Sequence, residues 1–481
     1  MSRRTKIVGT IGPASWEEEV LHLLIKEGLD VVRLNFSHAE HTKSAEIISL
    51  VRKLAHETGQ NVAILQDLQG PRVRIGKVES PLTLESGQEI ILTNRSLVAT
   101  QADEIAIDYP DLPLDVKPDD TILIADGLIE LKVLSSTAAE IRCLIISGGK
   151  LSSHKGINVP GVTLRVPTIT DKDKADLKFG VEQGVDYVAL SFVRRPEDIV
   201  YLKQLIREYA GSAHKDTLPK VIAKIEKHEA ITNFDAILAE TDGVMVARGD
   251  LGVELPAEQI PVLQKMIIHK CNLAGKTVIT ATQMLESMIQ HPRPTRAEAT
   301  DVANAILDGT DATMLSGETA GGLYPVEAVR VMGRIAETIE QEVLFTQPHL
   351  EDLLSPAHSI TDAISQAACN ISRELGAVAI ITPTTSGTTA RMVSRNRPGV
   401  PIYAITQEES TYRQLAMVWG VEAILAELHN NNTDERIVQA VQQLLSYGLV
   451  KPSDTVVITG GAPVGVAGRT NLIKVQVIGE D

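Results

Sequence analysis

The sequence predicts an α/β protein built on a (β/α)8 TIM barrel, with an inserted β-barrel-like lid domain and a C-terminal domain with an open α/β sheet. Eight short β-branched runs alternate with helix-like segments over the first two thirds of the chain. Between Gln69 and about Val166 no convincing helix interrupts the strand and turn patterns, and after about Gln347 strands and helices alternate again. The predicted boundaries are 1–69 with 167–346 for the barrel, 70–166 for the lid domain and 347–481 for the C-terminal domain.

Most of the eight predicted barrel strands are followed by a helix-like segment. They are predicted at 6–12, 31–37, 63–68, 185–192, 220–226, 243–250, 277–283 and 312–318. The active site of such a barrel lies at the carboxyl ends of its strands, so the polar residues there are candidates. These are Asn35, Asp67, Glu226, Asp250, Thr282 and Ser316. The segment inserted after the third strand would overhang this face, which makes it a candidate lid.

The C-terminal domain is predicted from five strand candidates that alternate with helical patterns. The strands fall at 377–383, 401–406, 421–427, 455–460 and 473–478, and two of the helices at 362–375 and 434–447. Within it the run TTSGTT closes a strand and opens a helix, so hydroxyls and backbone N–H groups converge where a phosphate would bind. Ordinary helix capping is the alternative for this run, whose residues are Thr384, Thr385, Ser386, Gly387, Thr388 and Thr389.

Composition excludes several functional classes. The 481 residues carry a formal net charge of −16, which disfavours nucleic acid as the main partner. Hydrophobic residues make up 43%, yet no run of 18 apolar residues and no secretion signal occur, so we expect a cytoplasmic protein with no membrane span. The three cysteines are scattered without a CxxC pair, which predicts neither a disulfide framework nor a cysteine zinc site.

Lys224 and Glu226 form the first chemical candidate. Their spacing of two on a predicted strand places both side chains on one face, which in a barrel is the interior or its mouth. A buried Lys beside a Glu is costly unless it is paired, so the two residues are either a structural ion pair or part of a site. The residues alone leave both interpretations about equally open.

The next predicted strand ends in a glycine-rich turn with a carboxylate. Gly249, Asp250 and Gly252 form a turn that would open a short helix with free backbone N–H groups, a suitable nest for an anion. Asp250 and Glu226 together would supply two hard oxygen ligands. Mg²⁺ sites use such carboxylates together with substrate oxygens and water. The alternative is a simple Asp helix cap.

Arg33, at the end of the second strand, suits a phosphate, although a lone Arg is more often a salt-bridge partner.

Taken together and in order, these segments resemble the pyruvate kinase family. The resemblance rests on VRLNFSH, VIAKIEKHE, MVARGDLGVELP, TATQMLESM, PTRAEATDVANA and LSGETAGG, on SHKGINVPG at the end of the insertion, and on the TTSGTT loop. It covers nearly the whole chain. It implies phosphoryl transfer from phosphoenolpyruvate to ADP, giving pyruvate and ATP, with Mg²⁺, or Mn²⁺ as an alternative. It also implies a homotetramer.

The resemblance implies roles for individual residues. Glu226 and Asp250 would hold Mg²⁺, and the backbone of Gly249 and Asp250 with Thr282 would receive the substrate carboxylate. Lys224 and Arg33 would contact the phosphoryl group, and Thr282 and Ser316 would take part in protonating the enolate carbon. The positions implied around the nucleotide are Thr10, Asn35, His38, Arg74 and Lys155. Asp126 in the insertion matches a lid residue that reaches the site on closure, and the TTSGTT loop matches an effector site for a phosphorylated metabolite.

One departure from the family pattern concerns potassium. The potassium site implied by the resemblance uses Asn35, Ser37 and Asp67, and family members that need K⁺ carry a Thr after the Asp and an acid shortly beyond. Here Leu68 stands at the Thr, Gln69 replaces a Lys, and Arg72 replaces the acid. A fixed guanidinium would supply the charge of the cation, so we expect activity without K⁺.

Two other classes remain open on sequence grounds. A Mg²⁺-dependent lyase or mutase acting on similar substrates also places a Glu and an Asp on barrel strands, but it generally needs no nucleotide. A non-catalytic sensor that uses only the C-terminal domain is the second alternative. The presence of Arg74, Lys155 and the lid-like insertion favours the kinase over the lyase, and the set of Lys224, Glu226 and Asp250 argues against the sensor.

Overall fold

The computed structural model describes residues 3–37, 39–78, 81–95, 103–211, 218–343, 359–426, 432–462 and 469–480. The first part of the chain forms three strands and two helices, namely β1 (Lys6–Thr10), α1 (Glu18–Lys26), β2 (Val31–Asn35), α2 (His41–Thr58) and β3 (Ala63–Asp67). Helix α2 ends at Gly59, which adopts a φ of 65°, a conformation that glycine reaches without a Cβ penalty. No helix in the described ranges is long and apolar enough to span a membrane.

The inserted segment is almost entirely β structure with a hydrophobic core of its own. Its elements are β4 (Leu82–Leu84), β5 (Glu89–Thr93), β6 (Glu104–Ala106), α3 (Leu112–Asp115), β7 (Thr121–Ile124), β8 (Ile129–Ser136), β9 (Glu140–Ser147), β10 (Gly149–Leu151) and β11 (Ile157–Asn158). The strands form a six-stranded sheet in the order β11-β7-β8-β9-β5-β6 and a two-stranded sheet of β10 with β4. Ile129, Leu131 and Val133 alternate along β8 and are buried, the period expected of a strand with one covered face.

The chain then returns to complete the barrel. The strands are β12 (Tyr187–Leu190), β13 (Lys220–Ile225), β14 (Gly243–Ala247), β15 (Thr277–Ala281) and β16 (Ala312–Leu315). The helices are α4 (Asp171–Glu182), α5 (Pro196–Ala210), α6 (His228–Thr232), α7 (Phe234–Glu240), α8 (Arg248–Glu254), α9 (Ile260–Leu273), α10 (Arg296–Leu307), α11 (Gly317–Ala320) and α12 (Pro325–Val343), with 3-10 turns at Ala257–Gln259 and Glu286–Ile289.

Eight parallel strands close into the predicted barrel in the order β1-β16-β15-β14-β13-β12-β3-β2. All eight predicted strands belong to it, which confirms the fold class. The predicted strands extend past the observed ones, because polar residues at the carboxyl ends already belong to the following turns or helices. Strand β14, for example, ends at Ala247, and Arg248 begins α8. Val8, Leu65, Ile222, Met245 and Ile279 fill the barrel interior.

The C-terminal part forms the predicted open sheet. Its elements are α13 (Ile360–Glu374), β17 (Ala379–Pro383), α14 (Thr388–Ser394), β18 (Ile402–Thr406), α15 (Glu409–Gln414), β19 (Val421–Leu425), α16 (Thr433–Ser446), β20 (Thr455–Gly460) and β21 (Leu472–Val477), with a 3-10 turn at Leu415–Met417. The sheet order is β19-β18-β17-β20-β21, and β21 alone runs antiparallel to its neighbour. Helix α13 begins earlier than predicted because Ser359 caps it by accepting a hydrogen bond from the Asp362 N–H.

The C-terminal part packs against the amino-terminal end of the barrel. Met417 joins the cluster of side chains inside the barrel. Arg397 pairs with Asp311 just before β16, and Arg413 pairs with Asp186 just before β12. The carboxyl ends of the strands, where the candidate site lies, are therefore at the opposite end of the barrel from this contact. The boundaries predicted between the three parts remain predictions.

Candidate active site

The carboxyl ends of the barrel strands bring four charged side chains with little exposure to solvent into contact. The Arg33 Nε and Nη2 atoms each lie 2.7 Å from Asp67 Oδ2, and Arg33 Nη1 donates to Thr10 Oγ1 over 2.8 Å. Thr10 Oγ1 in turn donates to the carbonyl of Leu315 at the end of β16. The guanidinium is therefore held in one orientation by two neighbouring strands.

Lys224 occupies the centre of this cluster. Its Nζ lies 2.9 Å from Glu226 Oε1 and 3.2 Å from Asp67 Oδ1, and it donates to Ser191 Oγ over 2.7 Å. Glu226 Oε2 accepts a 2.6 Å hydrogen bond from the Phe192 N–H. Lys224 and Glu226, whose structural or functional role the sequence left open, thus form an ion pair at the barrel mouth.

Burial and the neighbouring charges determine the protonation of the cluster. Burial alone raises the pKa of Asp67, but Lys224 and Arg33 outweigh it, so the pKa lies below its usual value. Burial lowers the pKa of Lys224, yet Asp67 and Glu226 reverse this and the net pKa is raised. Burial raises the pKa of Glu226, and the nearby charge of Asp250 adds to that, against the effect of Lys224. Lys224 therefore carries a positive charge at neutral pH.

The glycine-rich turn after β14 opens a short helix, as predicted. The Gly249 N–H donates a 2.8 Å hydrogen bond to Thr282 Oγ1, which itself donates to the Ala281 carbonyl over 2.6 Å. The N-cap of this helix is Ala247, so Asp250 lies inside the first turn instead of occupying the N-cap. Gly249, Asp250 and Thr282 are thereby neighbours on two adjacent strand ends.

Ser316 follows β16 and is braced by a glutamate that sequence reasoning missed. The Ser316 N–H donates to Glu318 Oε2 over 2.7 Å, and the Leu285 N–H donates to Glu318 Oε1 over 3.0 Å. Glu318 therefore joins the turns after β15 and β16. The glutamate within LSGETAGG is visible in the sequence, but the sequence does not show that it binds Leu285, which lies in a distant segment.

The residues predicted around the nucleotide divide between the barrel and the insertion. Arg74 Nη1 donates to the His154 carbonyl over 3.1 Å, and Arg74 forms a bridge with Gly156, which places the exposed Lys155 beside it. On the barrel, Asn35 Oδ1 accepts from the Ser37 N–H over 3.1 Å. His38 lies outside the described residues.

Arg72 and Asp126, both in the insertion, form an ion pair of 2.9 Å. The Asp126 side chain is 71% exposed, while that of Arg72 is 33% exposed. Asp67, the carboxylate of the predicted potassium site, is instead paired with Arg33 and Lys224. Leu68, where the resemblance implies a Thr, is buried in the apolar core and offers no side-chain oxygen.

In the C-terminal loop the predicted phosphate-binding groups bond to one another. Ser386 Oγ and Thr388 Oγ1 lie 2.9 Å apart, and the Gly387 N–H donates to Thr384 Oγ1 over 3.0 Å. Gly387 adopts a φ of 73°, which the turn into α14 requires. Thr389 Oγ1 lies 2.9 Å from the Thr470 hydroxyl, and the Thr385 carbonyl accepts from Thr411.

No group of three or more His, Cys, Asp or Glu side chains that could hold a metal occurs in the described part of the chain. Glu226 and Asp250 nevertheless fit Mg²⁺, because this ion usually binds one or two carboxylates and completes its shell with substrate oxygens and water. Burial raises the pKa of Glu226 and the charge of Asp250 raises it further, and a bound divalent cation would relieve the repulsion between the two carboxylates.

A TIM barrel with a fixed lysine, an arginine and two carboxylates at its mouth has the groups that an enzyme acting on an anionic substrate requires. A family model for the pyruvate kinase barrel domain matches residues 2–329, and one for the pyruvate kinase alpha/beta domain matches residues 362–476. The chain therefore belongs to the pyruvate kinase family, whose members are transferases.

Individual relatives agree with this assignment over nearly the whole of this chain. A pyruvate kinase of Geobacillus stearothermophilus is 48% identical and covers 100% of this chain and 81% of the relative. A pyruvate kinase of Clostridium acetobutylicum is 44% identical, with 99% and 100% covered. The crystal structure of a pyruvate kinase from Cryptosporidium parvum superposes with a TM-score of 0.91 at 37% identity, covering 99% of this chain and 96% of that one.

Proposed function

We propose that the chain transfers the phosphoryl group of phosphoenolpyruvate to ADP in a Mg²⁺-dependent reaction that yields pyruvate and ATP, the last step of glycolysis. The observation that carries the proposal is the position of Lys224, which is held between Asp67 and Glu226 beside Arg33 at the barrel mouth. Two fixed cations at this place favour a transition state in which negative charge spreads over a transferring phosphoryl group.

Lys224 and Arg33 contact the phosphoryl group in this proposal. Both are oriented before substrate arrives, because Asp67 pairs with each of them. The substrate carboxylate binds to the backbone N–H groups of Gly249 and Asp250 and to the Thr282 hydroxyl. The Gly249 N–H donates to Thr282 Oγ1 and the Thr282 hydroxyl donates to the Ala281 carbonyl, so the two groups lie side by side, and the carboxylate would replace both hydrogen bonds.

Glu226 and Asp250 would hold the divalent cation, with Mn²⁺ as an alternative to Mg²⁺. When bound, the cation supplies positive charge to the oxygens of the phosphoryl group and of the enolate. The role of the protein is to keep both carboxylates in place. Lys224 and the Phe192 N–H do this for Glu226, since each binds one of its carboxylate oxygens.

The phosphoryl group leaves the enol oxygen and bonds to the terminal phosphate oxygen of ADP. The enolate then accepts a proton on its terminal carbon, and we assign this step to groups near Thr282 and Ser316, either directly or through water. Binding of the nucleotide is assigned to Thr10, Asn35, His38, Arg74 and Lys155. The adjacency of Arg74 and Lys155 in the insertion supports this, because closure of the insertion would bring two cations toward the phosphates.

The reaction is proposed to run without added K⁺. Leu68 is buried in the core and supplies no oxygen to the site formed by Asn35, Ser37 and Asp67. Arg72 brings a guanidinium to the lid side of the cleft, and its ion pair with the exposed Asp126 can exchange when the lid moves. The Asp67 charge is already balanced by Arg33 and Lys224.

The proposal also includes regulation by a ligand of the C-terminal domain and assembly into an oligomer. The loop from Thr384 to Thr389 binds a phosphorylated metabolite, supported by the concentration of hydroxyls and N–H groups where β17 leads into α14. The chain is proposed to act in the cytoplasm as a homotetramer without nucleic-acid or membrane partners.

The test is pyruvate formation from phosphoenolpyruvate and ADP with Mg²⁺, measured in K⁺ and in a quaternary ammonium salt at equal ionic strength. Equal rates are expected. Activity only in the presence of K⁺ would support the kinase reaction but contradict the role proposed for Arg72. Consumption of phosphoenolpyruvate without ADP would favour a lyase, and no pyruvate in either salt, even with sugar phosphates present, would favour a sensor.

A further inference from the structure

Arg248 connects the ends of two neighbouring barrel strands and has no part in the proposed function described so far. It is the first residue of α8, directly after β14, and its side chain is 12% exposed. Its Nε donates to the Ala281 carbonyl over 3.2 Å, and its Nη2 donates to the Thr282 carbonyl over 2.7 Å. The guanidinium thus binds two backbone carbonyls at the end of β15.

The backbone that Arg248 grips is strained. Thr282 has a φ of 69° and Gln283 a φ of 54°, values in the left-handed region that non-glycine residues rarely occupy. A β-branched Thr is especially unfavourable there, so the surrounding structure must hold it in place. Arg248 does so through the carbonyls of Thr282 itself and of the preceding residue.

Three other contacts orient the guanidinium. Nη1 lies 2.7 Å from Asp301 Oδ1 and 3.3 Å from Gln264 Oε1, and Nη2 lies 2.7 Å from Met284 Sδ. A guanidinium has five N–H donors, and five acceptors surround this one. The side chain therefore has no donor left for a substrate, and it acts on the arrangement of the groups that it holds.

We propose that Arg248 is a positioning residue that keeps Thr282 Oγ1 and the Gly249 N–H in the arrangement that receives the substrate carboxylate. The inference rests on the roles that the proposed function gives to Thr282 and Gly249. The 2.8 Å hydrogen bond between these two groups depends on the φ of Thr282, which orients its side chain toward β14. Without Arg248 the turn relaxes and the hydroxyl moves away from the Gly249 N–H.

The test is a double-mutant cycle on kcat/KM for phosphoenolpyruvate with Arg248→Met, Thr282→Ala and the double variant. A displacement of about 1 Å in a positioned group can cost about 100-fold, so we expect a loss of that order for Arg248→Met. Most of the loss should be in the KM for phosphoenolpyruvate, with the KM for ADP unchanged. In the Thr282→Ala background the same substitution should cost only a few-fold, because the group that it positions is already gone.

Two conservative variants guard against a folding defect. Arg248→Lys keeps the charge, but its three donors on one nitrogen cannot serve the five acceptors around the guanidinium, so it should fall between the wild type and Arg248→Met. Asp301→Asn keeps the shape but weakens the orientation of Arg248, so it should shift the KM for phosphoenolpyruvate in the same direction and by less. Arg330→Met removes an arginine from the surface network with Glu27 and Glu327 and is the matched control.

The outcomes separate this inference from the proposed function. If Thr282→Ala is impaired while Arg248→Met keeps wild-type kinetics, only the inference fails. Equal losses from Arg248→Met in both backgrounds would also overturn it. A lower kcat with both KM values unchanged would indicate a reduced fraction of folded enzyme and likewise contradict positioning. If Thr282→Ala retains full kcat/KM, the assigned role of Thr282 fails, and the inference fails with it.

Discussion

The barrel mouth and the C-terminal loop are both proposed to bind phosphorylated ligands, but they are built from different groups. At the barrel mouth ion pairs join the buried Arg33, Asp67 and Glu226 to Lys224, whose side chain is 12% exposed. The C-terminal loop offers hydroxyls and backbone N–H groups without a charged side chain among its six residues. The guanidinium of Arg391, which is half-buried, donates to the Ser386 carbonyl.

The difference indicates different tasks. Charges fixed by opposite charges need no rearrangement when negative charge develops, which is what a reaction centre requires. In the loop, Ser386 and Thr388 bond to each other and Gly387 bonds to Thr384, so an anion must displace these hydrogen bonds to bind. Such an exchange gains little net free energy and suits a ligand that binds and leaves as its concentration changes.

Lys224→Met should have the largest effect. The substitution removes a cation from the transferring phosphoryl group and leaves Asp67 and Glu226 as buried carboxylates that lose a partner. Loss of one preorganised donor costs about 10²–10³-fold in kcat, and we expect at least the upper value here. Steady-state kinetics with phosphoenolpyruvate and ADP measure it, and thermal unfolding should show a lower Tm because uncompensated buried charge is destabilising.

The matched control is Lys53→Met. Lys53 is half-exposed and pairs on the surface with Glu18 and Glu57, where an ion pair contributes little to stability. Its kinetics and Tm should match those of the wild type. A Lys224→Met enzyme with near-normal kcat would mean that the charges at the barrel mouth are structural, and the contrast with the C-terminal loop would disappear.

Arg33→Lys is expected to reduce kcat/KM for phosphoenolpyruvate by about 10²-fold, through an effect on geometry. Lysine keeps the charge, but it cannot place one group on Asp67 and another on Thr10 as the guanidinium does. A misplaced cation loses much of its value to the reaction. Retention of full kcat/KM by Arg33→Lys would show that charge alone suffices at this position.

The residues at the barrel mouth could be predicted from the sequence because they depend on local rules. A spacing of two places Lys224 and Glu226 on one face of β13, and every parallel strand of a barrel delivers its carboxyl end to the same rim. The eight strands were visible for the same reason, as apolar runs that end in polar residues. Family resemblance then linked the segments to one reaction.

The supporting residues could not be predicted, because their partners come from distant parts of the chain. Ser191 binds Lys224 from 33 residues away, and Arg248 holds Thr282 from 34 residues away. The pairing of Arg72 with Asp126 depends on how the sheets of the insertion fold. No local pattern marks an arginine as one that holds a strained backbone, since the strain at Thr282 exists only in the folded protein.

Arg72→Glu should have a smaller effect that depends on the salt. The substitution replaces a cation with an acid, so the enzyme should gain a requirement for K⁺ and lose about tenfold in rate when K⁺ is replaced by a quaternary ammonium ion, which corresponds to about 1.4 kcal/mol in the barrier. Asp126→Asn is the companion variant, because it releases Arg72 from its ion pair but keeps the guanidinium. An equal loss of rate for Arg72→Glu with and without K⁺ would contradict the role of Arg72.

Ser386→Ala should have the smallest effect, and it tests the loop side of the comparison. One hydroxyl contributes about 0.5–1.5 kcal/mol to binding, so the concentration of a sugar phosphate that gives half-maximal activation should rise about two- to twelvefold. Glucose 6-phosphate, ribose 5-phosphate and inorganic phosphate are the probes, titrated at a phosphoenolpyruvate concentration below its KM. Thr137→Ala, in the inserted segment far along the chain from this loop, is the control for a hydroxyl lost elsewhere. If no probe activates the wild type, or if Ser386→Ala responds as the wild type does, the loop is an ordinary helix start and its hydroxyls serve only the hydrogen bonds within the turn.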